Sequence, residues 1–155
     1  MARVALNIAK KYDDGIIEDF ERTKYFQLHK NGATRAALYC FAIALCEMEG
    51  QEAKPIKDVP VKTFVRTEYL NDCEPLFSSL YFDKCIKDDP ELIDEICDRD
   101  DVYGLMEDYA NTGFGILESY INAPLDEETL MYKLITYMDK KYANIIDEVS
   151  ELMQP

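Results

Sequence analysis

Histidine is almost missing from this chain of 155 residues, where His29 stands alone. A nucleophile–base pair would have to use it, and no serine or cysteine motif surrounds it. It reads instead as a surface or helix-end histidine, favoured by the carbonyl end of the helix before it. The cysteines are five, an odd number, and none of Cys40, Cys46, Cys73, Cys85 and Cys97 has a neighbour at the short spacing of typical zinc ligands. Cys40, Cys46 and Cys97 fall in apolar helical runs, where a thiol behaves as a small buried hydrophobe, so the set is expected to be reduced. There is no phosphate-cradling glycine loop, dinucleotide fingerprint or hydrolase elbow among the six glycines. Bases are short as well, with 17 Lys and Arg against 31 Asp and Glu. Binding to a phosphate backbone needs clustered bases to displace counterions, so direct contact with nucleic acid is disfavoured. The longest apolar run, Ala36 to Cys46, is about half of what a bilayer span requires. The first eight residues lack the apolar core and cleavage site of a secretory signal. These absences lead us to expect a soluble cytoplasmic protein without cofactor, metal or membrane span, and not an enzyme.

What is present is a chain that should fold. Apolar residues make up 48% and charged residues 31%, too much core for a disordered acidic tail and the length of one domain. The net charge of −14 is uneven: residues 1–35 carry seven bases and five acids, and residues 36–155 carry ten and twenty-six. The periodicity predicts an all-α or mainly α bundle of five to six helices. After a short leader, Ile16, Ile17, Phe20, Tyr25, Phe26 and Leu28 mark an amphipathic helix ended by Asn31-Gly32. Residues 33–50 are apolar on every side and read as the central helix. Residues 50–71, with Pro55 and Pro60, read as an irregular loop or edge with at most one short extended piece at Val59, Val61, Phe64 and Val65. Helix resumes behind Pro75, and Asp89-Pro90 is a second start signal. A longer helix follows over about 101–122. The last one repeats apolar residues at steps of three and four from Leu130 to Leu152, and is expected to dock on the core or pair with a second copy.

The loudest local signal is a block of ten carboxylates: Asp88, Asp89, Glu91, Asp94, Glu95, Asp98, Asp100, Asp101, Glu107 and Asp108, around the single base Arg99. Set among Leu92, Ile93, Ile96, Val102, Leu105 and Met106, they read as outer faces of helices, giving a field that steers cationic partners. Four readings stay open. The plainest is a solvated helix face. A second is a partner-binding surface, and a third is imitation of duplex phosphates in the groove of a DNA enzyme. The fourth is a metal-dependent nuclease or hydrolase, since hard cations want several oxygen ligands. Against it, Asp98-Arg99-Asp100-Asp101 has Tyr103 and Tyr109 where a calcium loop needs glycine and glutamate. The run Tyr109-Ala110-Asn111-Thr112-Gly113-Phe114-Gly115 puts two glycines in a helix at about 1 kcal/mol each. A kink, or a close crossing against Ala36, Ala37, Ala42 and Ala44 with Asn111 bonding the backbone, would compensate; partner contact is the other reading.

Taken in order, several features resemble a known family: the helix Leu38 to Cys46 with Glu49-Gly50-Gln51, then Pro55, Phe64-Val65-Arg66, the acidic helices and Glu107-Asp108-Tyr109-Ala110-Asn111-Thr112-Gly113 before Ile116-Leu117. The stretch of about residues 30–121 is similar to the small Dnd system-associated proteins, encoded beside DNA phosphorothioation genes. Thr112 stands where that pattern carries a second glycine. The resemblance implies a bacterial, cytoplasmic protein of a DNA-modification or anti-phage defence apparatus, and it carries over no catalytic residue. The candidate contact residues for a larger, basic protein partner are Asp88, Asp89, Glu91, Asp94, Glu95, Asp98, Asp100, Asp101, Tyr109, Asn111 and Gly113, and a homodimer through the last helix is the second association expected.

Overall fold

The segment that is apolar on every side becomes the helix at the centre. In the computed structural model, which describes residues 3–21, 32–90, 98–121 and 127–154, helix α3 (Gly32–Met48) buries Tyr39, Ala42, Ile43 and Cys46 completely. It stops at Gly50, whose φ of 63° is open to glycine without strain. The amides of Gly50 and Gln51 close back on the carbonyls of Glu47 and Cys46, the bonding pattern of a glycine-terminated helix.

Helix α5 (Arg99–Ile121) lies along α3 as the most extensive helix–helix contact in the fold. It runs unbroken through both glycines, so they serve a close crossing and not a kink. A Cβ added to Gly113 would run into the backbone carbonyl of Ala42, and one added to Gly115 would come 2.8 Å from the Tyr12 hydroxyl. Behind the crossing, the rings of Tyr39, Phe64 and Phe114 meet one another with centroids 5.7–6.0 Å apart.

The expected leader is instead a strand, β1 (Ala5–Ala9), paired antiparallel with β2 (Val61–Arg66). Leu6 and Ile8 point into the core and Asn7 between them does not, a period of two too short to stand out in sequence. Its partner lies more than fifty residues away, so local propensity alone could not identify it. The register joins Leu6 to Val65 and Asn7 to Thr63, with a bulge between. β2 is the short extended piece expected inside the irregular segment, and residues 67–73 continue as a 3₁₀ turn.

After β1 the chain forms α1 (Lys10–Tyr12) and α2 (Glu18–Glu21), joined through a π-helical turn at Asp13–Ile17 into one bent helix. Its predicted continuation through Tyr25, Phe26 and Leu28 to Lys30, and His29 with it, lies outside the described residues. Helix α4 (Glu74–Asp88) starts with Pro75 in its first turn, where a missing amide costs nothing. Helix α6 (Glu127–Leu152) is the last element. Among the described residues the fold is therefore mainly helical, with five helices, the first bent, and a single two-stranded sheet. No described helix is long and apolar enough to cross a membrane.

The crossing gives Gly113 and Gly104, two of the three glycines of α5, opposite expectations. Gly113→Ala must push the α3 backbone away and should lower stability by about 3 kcal/mol, the upper end of overpacking costs. At Gly104 an added Cβ has only the Arg3 guanidinium near it, at 3.5 Å. Gly104→Ala should therefore raise stability by up to about 1 kcal/mol. Urea denaturation of both variants checks the pair.

Candidate interaction site

The two ends of the acidic block do different things, and α5 decides which. Three of its side chains stand on one face and serve β1. Asp100 Oδ1 accepts the Arg3 amide at 2.9 Å, Glu107 Oε1 the Asn7 amide at 2.9 Å, and Asn111 Oδ1 the Ala9 amide at 2.7 Å. Four helical residues rise about 6 Å and two strand residues about 6.6 Å, so helix and strand stay in step between the last two bonds. β1 thus has a strand on one edge and a row of side-chain acceptors on the other, which leaves no open edge for a further strand. Arg3 then neutralises Glu107 by a 2.8 Å ion pair, and Glu107 is only 9% exposed.

The next two positions of α5 hold the loop before β2 in the same way. Asp108 accepts the Ile56 amide at 3.1 Å, and Thr112 accepts the Lys54 amide at 3.0 Å. Burial raises the Asp108 carboxyl above the usual carboxylate range, against the pull of the Ile56 amide. Asn111 is satisfied on both sides: its amide nitrogen donates to the Glu107 carbonyl at 2.8 Å and to the Asn7 carbonyl at 3.4 Å. The backbone it bonds is chiefly that of β1, an assignment that needed the strand to be known.

Arg99, the one base in the block, is also used internally. It pairs with Glu74 and donates to Tyr103, whose own hydroxyl donates to Glu74. Those two contacts, the Tyr103 hydroxyl first, hold the Glu74 carboxyl below its ordinary range. The triad ties the start of α4 to the start of α5, and Phe77 meets Tyr103 edge-on at 6.3 Å. At the other end of α4, Asp83 and Lys87 lie close enough to influence Tyr109. Asp88, at the far end of α4, stands about 20 Å along that helix from the Arg99 pair.

The predicted contact residues separate accordingly. Asp88 and Asp89 are exposed at the end of α4, while Asp98 and Asp101 are exposed at the start of α5, a helix length away. Asp88 has Lys84 at 3.4 Å, and Asp98 accepts the Asp100 amide at 2.7 Å. Asp100 is turned towards Arg3, and Tyr109, Asn111 and Gly113 are buried. Glu91, Asp94 and Glu95, with Leu92, Ile93, Ile96 and Cys97, lie outside the described residues. No group of three or more His, Cys, Asp or Glu among the described residues is arranged to hold a metal ion.

A cleft of about 500 Å³ opens beside Asn111, with Lys11, Tyr12, Lys54, Lys57 and Thr112 in its wall. Sequence reading missed it, because three lysines from two distant segments meet there only after folding. Among the described thiols, Cys40, Cys46 and Cys73 pack in or against the core. Cys46 is fully buried and donates to the Gln51 carbonyl. Cys40 lies 3.1 Å from Cys73, with burial pushing its thiol up to about 12.

Helix α6 is the third region. Leu134 and Tyr137 dock on the body, where Tyr137 donates to Glu49 at 2.7 Å and rests against Tyr120. Beyond them the apolar side chains of its row are exposed, from Tyr142 at 67% to Leu152 at 85%. A groove of about 210 Å³, almost purely apolar, lies at the root of this helix between Phe20, Leu38, Phe41 and Met138.

Two substitutions test the acceptor row. Asn111→Ala strips the buried Ala9 amide of its acceptor and should cost about 1–3 kcal/mol in urea denaturation. Asp108→Asn keeps an oxygen for the Ile56 amide and removes the buried charge. Because the folded carboxyl titrates above its unfolded value, the native state holds more protons in that window, and its stability falls as pH rises through it. The charge is thus a burden at neutral pH that vanishes below about pH 4. Asp108→Asn should equal or exceed the parent in stability at pH 7, with the difference closing on acidification. Comparison with protein-family models, curated proteins and solved structures finds no match to this chain.

Proposed function

We propose that this chain is a non-catalytic, acidic accessory protein that binds a larger protein through its outward carboxylates. The observation that carries the reading is how its charge is distributed. Of 17 bases, Arg3, Arg35, Lys62, Arg66, Lys84, Lys87 and Arg99 already sit in ion pairs with the protein's own acids. The 31 acids exceed what the bases can neutralise, and Asp88, Asp89, Asp98 and Asp101 face solvent. A partner with a basic surface would gain from this field in both on-rate and selectivity. Two acidic ends about 20 Å apart on one helix pair favour an extended contact over a small-ligand site.

The setting comes from the resemblance in residues 30–121, which supports a cytoplasmic role in a bacterial DNA-modification or anti-phage defence complex. Self-association through α6 belongs to the same reading. An accessory protein that joins an assembly needs exposed contact surface more than a built pocket, and α6 supplies it.

Purified protein mixed with the products of neighbouring genes should form a complex that weakens steeply as salt rises, since exposed charges act over about 10 Å at 0.1 M. The triple reversal Asp88→Lys, Asp98→Lys and Asp101→Lys should weaken it at least about tenfold, mainly through the on-rate. Titration by surface plasmon resonance reads both. A complex indifferent to salt and to the reversals would refute the acidic contact. Displacement of the protein by added duplex DNA would show that it occupies a nucleic-acid groove.

A further inference from the structure

The exposed row on α6 has a strict spacing. Ile135, Met138, Tyr142, Ile145, Val149 and Leu152 follow one another at alternating steps of three and four, the seam of a two-stranded coiled coil. All six are exposed, and nothing else among the described residues covers them. A helix in solution does not keep such a row open for eighteen residues without a partner of the same shape.

Charge and spacing together select the partner. Residues 135–144 hold Asp139, Lys140 and Lys141, a net +1, and residues 145–154 hold Asp147, Glu148 and Glu151, a net −3. A parallel pair would set −3 against −3. An antiparallel pair sets each half against its complement. The same turn matches the layers without remainder: Ile135 meets the partner's Leu152, Met138 the partner's Val149 and Tyr142 the partner's Ile145. The apolar groove at the root of α6, walled by Phe20, Phe41 and Met138 and open at Ala37, then lies under the partner's Leu152.

The area suffices. With side chains of ~150–200 Å² and the fractional exposures of this row and of Ile146 and Met153, each copy offers on the order of 700 Å², close to the ~800 Å² per partner of a standard stable interface. We propose that two copies of this chain pair antiparallel through α6, the free end of each helix seated in the apolar groove of the other. The contact is isologous, so it closes at two copies. This rests on the self-association part of the reading above and not on its acidic contact.

Analytical ultracentrifugation of the full chain should give a dimer below ~100 µM. The double variant Ile145→Asp and Val149→Asp should be monomeric with an unchanged near-UV spectrum, because both positions are exposed. Ala37→Glu, facing the partner's negative end, should raise the dissociation constant at least about tenfold. With Met138→Cys and Val149→Cys together, oxidation and peptide mapping should recover a cross-link between positions 138 and 149 of different copies. Val149→Cys alone should not link to itself, because antiparallel pairing holds the two copies of that position about 16 Å apart along the helices. A monomer throughout that range, a dimer untouched by the two aspartates or by Ala37→Glu, or a 149–149 cross-link would each overturn the proposal. The Asp88, Asp98 and Asp101 reversals should dimerise like the parent, so failure of the acidic contact and failure of this pairing are told apart.

Discussion

The fold depends on a row of side-chain acceptors along α5. Glu107 and Asn111 take amides that β1 cannot give to β2, Asp100 takes that of Arg3 just ahead of the strand, and Asp108 and Thr112 do the same for the loop ahead of β2. A two-stranded ribbon has little stability by itself. Here it is completed by a helix standing in for a third strand, at the cost of burying Glu107 beside Arg3. Replacing those acceptors with apolar residues would leave the buried Ala9 amide and the part-buried amides of Arg3, Asn7 and Ile56 unpaired, which is more damaging than the loss of a surface ion pair. That is why carboxylates persist in a helix whose other face packs against α3.

The acidic block is therefore two devices in one stretch of sequence. Glu107 and Asp108 organise the interior, and Asp88, Asp89, Asp98 and Asp101 shape the exterior field. The distinction follows from where the neighbouring backbone ends run. A carboxylate that meets an amide of β1 or of the 51–60 loop is pulled inward; one that meets none stays in water. Arg99 shows the same logic from the other sign, since it binds Glu74 and Tyr103 and leaves Asp98 and Asp101 to the solvent.

Much of the helical plan was legible. The all-round apolar helix, the Pro75 start, the long helix through Gly113 and the amphipathic last helix all follow from periodicity and capping, which are local. The close crossing at Ala42 was readable from two glycines facing an alanine-rich segment. β1 was not, because five residues give too few periods and the partner strand is remote. The inward turn of Glu107 and Asp108 was hidden for the same reason: their amide partners lie some fifty to a hundred residues away. The lysine-lined cleft beside Asn111 likewise joins two segments that no window of sequence contains.

The acceptor row also orders the birth of the molecule. Its bonds to the first strand join residues 97, 100 and 102 positions apart. Contacts of that separation are slow to form. While the chain is being made, the whole stretch from β1 to Asn111 must leave the ribosome before the outer edge of β1 finds its acceptors. Until then that edge is open to neighbouring chains. β1 makes its main contacts with β2 and α5, so the arrival of α5 is the event that seals the nascent protein.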